Sequence, residues 1–447
     1  MEDLRRLDHK IWGIAWPAIL SNISIPMLGL VDAAILGHLG STHYLGAVAI
    51  GSALLSFLYW GFSFLRMGTT GLVARAMGAG DPDQALLVLA QSAVLALVLA
   101  LLVVLLNPLW LGAGLALMSP QPELQPLAAS YAGIRIASAP AVLLTYTIIG
   151  WFIGRQDTRW PMVIVVLTNA ANIGLDFLLI VGLGLHSDGA AMATVIAEYL
   201  GLTVALFAVW HSVPVRPGPE LYRQLMIVSA YQQLLRSNRH LFVRTVALLF
   251  SFAFFTAMGD NMGSEVLAAN ALMIQLLMLA AYGMDGFAFA AEGLSGTRLG
   301  ARDLAGFYTA VRRCGLWCAI AAAVMTTLLL ALHTPLFGLL TNISGVRQVM
   351  SQYYLWLAIL PLVAAPSYLL DGVFIGSAET RFMMTTMLFS VAVVYLPTWY
   401  LTREWGNHGL WAAFTAFNAA RGITLYRCYR QLSATGAWLP AASRGRD

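Results

Sequence analysis

Phe152-Ile153-Gly154-Arg155-Gln156-Asp157-Thr158-Arg159 returns 222 residues later as Phe374-Ile375-Gly376-Ser377-Ala378-Glu379-Thr380-Arg381. The same displacement carries Met77-Gly78-Ala79-Gly80-Asp81 onto Leu299-Gly300-Ala301-Arg302-Asp303. It also carries Trp60-Gly61 onto Tyr282-Gly283, and Gly71-Leu72 onto Gly293-Leu294. One offset kept through separate blocks marks a duplicated architecture. Between the blocks run apolar stretches of 18 residues or more, each long enough to cross ~30 Å of hydrocarbon as a helix. Apolar residues make up 59% of the chain and charged residues 10%, where a soluble domain carries about 25% charged residues. The mean hydropathy is +0.75. These properties place the chain in a bilayer.

Twelve spans are predicted, at 11–37, 44–76, 85–112, 127–152, 160–184, 189–212, 239–260, 264–298, 308–333, 348–377, 382–402 and 408–430. Turn residues separate them, among them Gly37-His38-Leu39-Gly40, the stretch from Gly78 to Pro82, and Gly406-Asn407-His408. Arg5, Arg6 and Lys10 precede the first span. Its apolar run is too long for a signal core and lacks a small-residue cleavage site, so it is read as retained. Arginines such as Arg75, Arg155, Arg159, Arg302 and Arg381 fall on one side of the predicted topology, and the opposite loops hold only Arg347 and Arg403. That asymmetry puts both termini in the cytoplasm. An even number of spans per copy makes the two halves parallel, an architecture of transporters with a central cavity. The predicted organisation is a first lobe over 1–212, a cytoplasmic linker over 213–238 and a second lobe over 239–447. Cys314, Cys318 and Cys428 are too few and too apolar in setting for a disulfide framework or a zinc site.

Ionisable residues within spans are costly and are read as functional candidates. Counting 1.5 Å per helical residue, Asp32, Asp176 and Glu198 share a layer in the outer half of the first lobe. Asn169, Asn172 and Asp176 lie at i, i+3 and i+7 on one helix face, and Thr194 stands one turn from Glu198. A carboxylate in low dielectric with neutral donors beside it is what a protonation site needs. A polar clamp between helices with no transport role uses the same residues. In the second lobe, Glu292 and Asp371 lie near the cytoplasmic ends of their spans, with Asp285 nearer the middle. These three form a candidate second acidic site, or carboxylates bonded to packed backbone. Pro17 and Pro26 each remove a backbone hydrogen bond from the first span and favour a bend. No phosphate loop, nucleophile elbow or zinc-type spacing is present, which argues against an ATP-driven pump or an enzyme.

Asp32-Ala33-Ala34-Ile35-Leu36-Gly37-His38-Leu39-Gly40, followed by Leu45-Gly46-Ala47, resembles the first-helix signature of the multidrug and toxic compound extrusion (MATE) family. The Gly-Ala-Gly-Asp block and its partner resemble the same family. Ala290-Ala291-Glu292-Gly293 and Leu370 to Gly376 are similar to its DNA-damage-inducible protein F branch. The resemblance implies a secondary exporter that antiports lipophilic or cationic organic compounds against a cation by alternating access. It needs no cofactor beyond the coupling ion, H+ or alternatively Na+. It also implies that Asp32 couples the cation, that Asn172, Asp176, Thr194 and Tyr131 form one network, and that the first helix bends at Pro17. In the NorM branch the aspartate at the position of Asp371 binds sodium together with a seventh-helix acid. The seventh span here has no interior acid, which departs from that pattern. A lipid or oligosaccharide flippase on a related scaffold is the competing expectation. Such a flippase needs a cationic cavity, whereas the embedded charges here are read as predominantly acidic. The expected partners are small organic molecules and the lipid bilayer, with no nucleic acid. The chain is expected to act as a monomer in a bacterial inner membrane.

Overall fold

Helix is the structure that satisfies backbone polar groups in hydrocarbon without help from a neighbour, and the apolar runs adopt it throughout. A computed structural model describes residues 2–37, 42–118, 120–213 and 218–439, without the side chains of residues 2, 3, 30, 32, 33 and 42. The helices are α1 (Glu2–Gly37), α2 (Thr42–Gly61), α3 (Phe64–Gly78), α4 (Pro82–Leu105), α5 (Asn107–Met118), α6 (Gln125–Arg135), α7 (Ala139–Gly154), α8 (Arg159–Asp176) and α9 (His186–Ser212). They continue as α10 (Pro219–Leu225), α11 (Gln232–Asp260), α12 (Ser264–Gly300), α13 (Leu304–Leu340), α14 (Ser344–Gly376), α15 (Thr380–Phe389), α16 (Leu396–Thr402) and α17 (Asn407–Thr435). Several spans are composite. α2 and α3 meet at a turn over Phe62 and Ser63, and α6 passes into α7 through a 3₁₀ turn at Ile136–Ser138 just before Pro140. α8 and α15 each run into a π-helical turn, at Phe177–Gly182 and Ser390–Tyr395.

Eleven helical runs among the described residues are long and apolar enough to cross a membrane. The stretch expected to be a twelfth, 408–430, lies within α17. Asn407, Asn418, Arg421, Arg427 and Arg430 dilute its apolar character, so it does not reach the level of the other eleven. The polar stretch 213–238 contains α10 and a 3₁₀ turn at Val228–Tyr231, and helix resumes at Gln232. Residues 38–41 and 214–217 lie outside the described residues, and with them most of the Gly37–Gly40 turn and Pro214. α1 continues as helix through both Pro17 and Pro26.

Contacts divide the chain into two units. One holds Met1–Ile19, Ala74–Asp81 and Arg236–Asp447, and the other holds Leu20–Val73 and Pro82–Leu235. The division falls within α1, two residues after Pro17. In the first unit, α1 is held to α13 by Asp8, whose carboxylate accepts from Arg313 and from Trp317 Nε1 at 3.0 Å.

Each unit has the same backbone-to-backbone crossing, and glycine makes it possible. In one, Gly150 and Gly154 of α7 lie against the carbonyls of Arg66 and Thr70 in α3. In the other, Gly372 and Gly376 of α14 lie against those of Ala288 and Glu292 in α12. All four contacts obey the 222-residue displacement. Left-handed backbone recurs by the same displacement at Gly80 and Arg302, Gln156 and Ala378, and Gly184 and Gly406. The copied blocks therefore encode helix ends and close crossings. A third crossing is reciprocal. Gly78 lies on the carbonyl of Thr297 while Gly300 lies on that of Arg75, all within the first unit.

The turn after α12 is closed by Asp303, whose carboxylate caps α13 by accepting from Gly306 N at 2.8 Å and pairs with Arg298 at 2.7 Å. The Gly306 amide and the Arg298 guanidinium hold this carboxyl below its ordinary value. A depressed folded pKa adds stability above the unfolded value and loses it as pH falls through the folded one. The melting temperature of the wild-type protein should therefore fall on acidification more steeply than that of Asp303→Ala, and parallel pH profiles would exclude the cap. For the crossings, Gly376→Val should destabilise by about 1–3 kcal/mol through overpacking. Gly133→Ala, inside α6 with no atom within 4 Å of an added Cβ, should leave the melting temperature no lower, since alanine favours helix over glycine.

Candidate functional site

In the unit holding α8 and α9, the polar face anticipated on α8 is present. Asn172 and Asp176 are buried, each 1% exposed, and Thr194 of α9 is buried beside them. Asn172 donates to Thr194 Oγ1 at 2.9 Å, and Thr194 in turn donates to the carbonyl of Ala190 at 3.0 Å. The direction of this chain leaves the Asn172 carbonyl oxygen with no hydrogen-bond partner among the described residues. One turn nearer the start of α8, Asn169 donates to Ser24 Oγ of α1 at 3.0 Å. Asp176 is the last residue of α8 before the π turn at Phe177–Gly182. A π turn leaves backbone groups out of the regular ladder, which is why such turns gather at sites of function. Asp32 belongs to α1, and its side chain lies outside the described residues.

Tyr131 and Glu198 belong to a second cluster in the same unit, built around an arginine. Tyr131 OH shares a hydrogen bond with Ser52 Oγ at 2.9 Å and accepts from Arg135 at 3.1 Å. Tyr59 bonds to Ser138 Oγ at 3.2 Å and to the Arg135 carbonyl at 3.4 Å. Glu198 lies within electrostatic range of Arg135.

The other unit has its own charged centre. Asp371 of α14 accepts from Arg244 of α11 and, at 2.9 Å, from Arg421 of α17. Arg421 also donates to Asn418 at 3.4 Å and stacks over Phe417, 5.6 Å from the ring centre. Tyr368, one turn before Asp371, lies within electrostatic range of Asp371, Arg244, Arg421 and Asp285. Glu292 is buried on α12, two turns beyond the partly exposed Asp285. Its carbonyl receives the Gly376 crossing. Among the described residues no three His, Cys, Asp or Glu side chains converge as metal ligands.

The embedded acids singled out in the sequence are joined in the structure by embedded arginines. Arg135, Arg244 and Arg421 lie inside helices and meet acids or tyrosines there. The signal for them was present in the sequence. All three fall within the predicted spans 127–152, 239–260 and 408–430, where a guanidinium costs as much as a carboxylate.

A sequence profile of the MatE family matches residues 17–178 and again residues 241–401. The chain belongs to the MatE family. It is 37% identical to the DNA damage-inducible protein F of Escherichia coli K12 over 442 residues, 99% of this chain and 96% of that one. A probable multidrug resistance protein NorM of Halalkalibacterium halodurans is 25% identical over 95% of this chain and 94% of its own. The fold matches that of the Vibrio cholerae MATE transporter VcmN with a TM-score of 0.87 at 21% identity, covering 98% of this chain and 100% of that one. A transporter of the MOP superfamily from Pyrococcus furiosus matches with a TM-score of 0.85 at 18% identity over 96% of this chain and 97% of that one. This MATE protein is thus a multi-span membrane efflux transporter and not an enzyme.

Thr194→Val removes the acceptor of Asn172 while keeping the side chain's shape. It should cost about 1–3 kcal/mol for the buried amide left unpaired, read as a lower melting temperature in detergent. An unchanged melting temperature would show that Asn172 finds another acceptor.

Proposed function

We propose that this MATE protein exports lipophilic or cationic organic compounds in exchange for protons, with Asp32 as the coupling carboxylate and Asp176 and Asn172 as further residues of the coupling site. The observation that carries this reading is the contrast between the two charged centres. In one unit, a buried carboxylate at the end of α8 stands beside a neutral amide and a hydroxyl, a setting that tolerates both a protonated and an ionised acid. In the other unit, the acid that a sodium site would use, Asp371, already accepts from two guanidiniums. A metal cation placed there would meet two fixed positive charges, so coupling by sodium at Asp371 is electrostatically opposed. The printed names of the NorM relatives as multidrug resistance proteins support drug-like substrates.

The working form is a monomer with twelve spans in two parallel repeats, both termini cytoplasmic, in a bacterial inner membrane. Its lobes cover 1–212 and 239–447, joined by a linker at 213–238. The double profile match and the repeated glycine crossings support this arrangement. Alternating access then links proton and drug, because each binds one protonation state of the first lobe better than the other. Protonation at Asp32 bends α1 at Pro17 or Pro26 and releases substrate outward. The split of α1 between the two contact units after Ile19 supports a flexing point there.

Reconstitution in proteoliposomes tests this. Ethidium efflux should follow an imposed proton gradient, fall by about tenfold or more in Asp32→Asn, and be indifferent to a sodium gradient. Undiminished efflux by Asp32→Asn would sink the role of Asp32. Efflux driven by sodium alone would reverse the assignment of the ion.

A further inference from the structure

Trp438 follows the end of α17 at Thr435, a place where a tryptophan of the interfacial belt would keep its indole partly in water. Instead it is 1% exposed. The chain reaches this position by a sharp reversal. Gly436 closes α17 in the left-handed region at φ +66°, and Ala437 N donates back to the Leu432 carbonyl at 3.0 Å. A left-handed glycine with such a back bond turns a helix end on itself. The indole then enters a ring of aromatic side chains from three helices. Phe307 of α13 lies at 5.1 Å, Phe374 of α14 at 5.5 Å and Tyr429 of α17 at 5.6 Å between ring centres. Trp438 Nε1 donates to Ser433 Oγ at 3.0 Å, so the one polar atom of the buried ring is satisfied.

The backbone of the same residue reaches a further helix. The Trp438 carbonyl accepts from Nη2 of Arg75 in α3 at 3.2 Å. Arg75 is also the residue whose own carbonyl lies under Gly300, and it lies within electrostatic range of Glu379 in the turn before α15. Contacts divide α3. Its residues up to Val73 belong to one unit, while Ala74–Asp81 belong to the unit that holds α12, α13, α14 and α17. Three attachments thus converge on the second residue of that short piece, and one of them depends on where the tail after α17 is seated. We infer that this tail is a latch. The seated indole of Trp438 holds its carbonyl against Arg75, and so fixes the end of α3 and the α3–α4 turn to the unit of α12, α13, α14 and α17. Its part in transport rests on the exporter reading above. Alternating access moves such units as bodies, so a piece of helix that frays from its unit leaves the movement incomplete. Trp438 and Arg75 act here as positioning residues.

Hydrogen exchange on the full chain in lipid nanodiscs reads the latch directly. Ethidium efflux from proteoliposomes, expressed per folded molecule, reads its part in transport. Trp438→Ala should speed exchange at the amides of residues 75–81 without speeding it in α8 or α9. Its turnover should fall by about threefold or more, with the KM for ethidium unchanged. Trp438→Phe keeps a ring among the aromatic side chains and should recover most of the wild-type turnover. Arg75→Met removes the donor while leaving the indole seated. It should reproduce both effects, and it decides the matter should Trp438→Ala fail to fold. The double variant should be no slower than the slower single one, because both changes break the same attachment. Wild-type exchange at residues 75–81 in Arg75→Met would overturn the latch, as would an acceleration spread evenly over all helices. Faster exchange there with wild-type turnover overturns its part in transport. A wild type that moves no ethidium under any gradient overturns the exporter reading instead, and the exchange result then decides the latch by itself.

Discussion

A guanidinium inside a membrane protein must find its counter-charge among the protein's own side chains, and much of this molecule is arranged around that requirement. Water cannot solvate it there, and salt does not screen it as it does at a surface. Arg135 bonds to Tyr131 and lies within electrostatic range of Glu198, and Arg244 and Arg421 pair with Asp371. Each solution joins helices distant in sequence: α6 with α9 in one unit, and α11, α14 and α17 in the other. The positions of the charges therefore fix which helices must be neighbours, and the apolar surfaces around them fill the space that remains.

The two charged centres differ in kind. The one around Asn172, Asp176 and Thr194 places a buried acid one helical turn from an amide that bonds to a hydroxyl. The one around Asp371 sets an acid between two guanidiniums, so its charges are held in ion pairs. A single chain therefore carries two unlike polar centres on a scaffold of two similar halves. The scaffold is repeated to the residue, as the crossings of Gly150 and Gly372 show, while the charges laid on it are not.

The scaffold was legible because its determinants are local. Runs of apolar residues, glycines at crossings and turn residues at helix ends act through backbone geometry, and the 222-residue displacement locates them without any structure. The site was legible only in part. Asn172 and Thr194 could be paired by counting along helices, since each lies on a face that the helical period defines. The Asp371 centre could not, because its members come from three helices whose rotation about their own axes is set by packing. Arg421 and Arg244 do fall within predicted spans, but nothing in the sequence pairs them with Asp371. Reading every ionisable residue within a span, basic as well as acidic, would have raised them as candidates. The twelfth span illustrates the same limit from the other side. α17 is diluted by Asn418, which bonds within its own helix, and by Arg421, which pairs with Asp371 of α14, so hydropathy alone undervalues it.

The reciprocal crossing of Gly78 on Thr297 and Gly300 on Arg75 has a further consequence. In a symmetric dimer, residue i of one copy touches j of the other, and j touches i in return. This chain reproduces that isologous pattern within itself, with the displacement of 222 residues playing the part of the second subunit. Such a contact has no preferred side, so a change at either glycine disturbs an equivalent half of the same joint. Because glycine brings no side chain to the contact, the two backbones meet there directly, and any larger residue at either position pushes against a carbonyl.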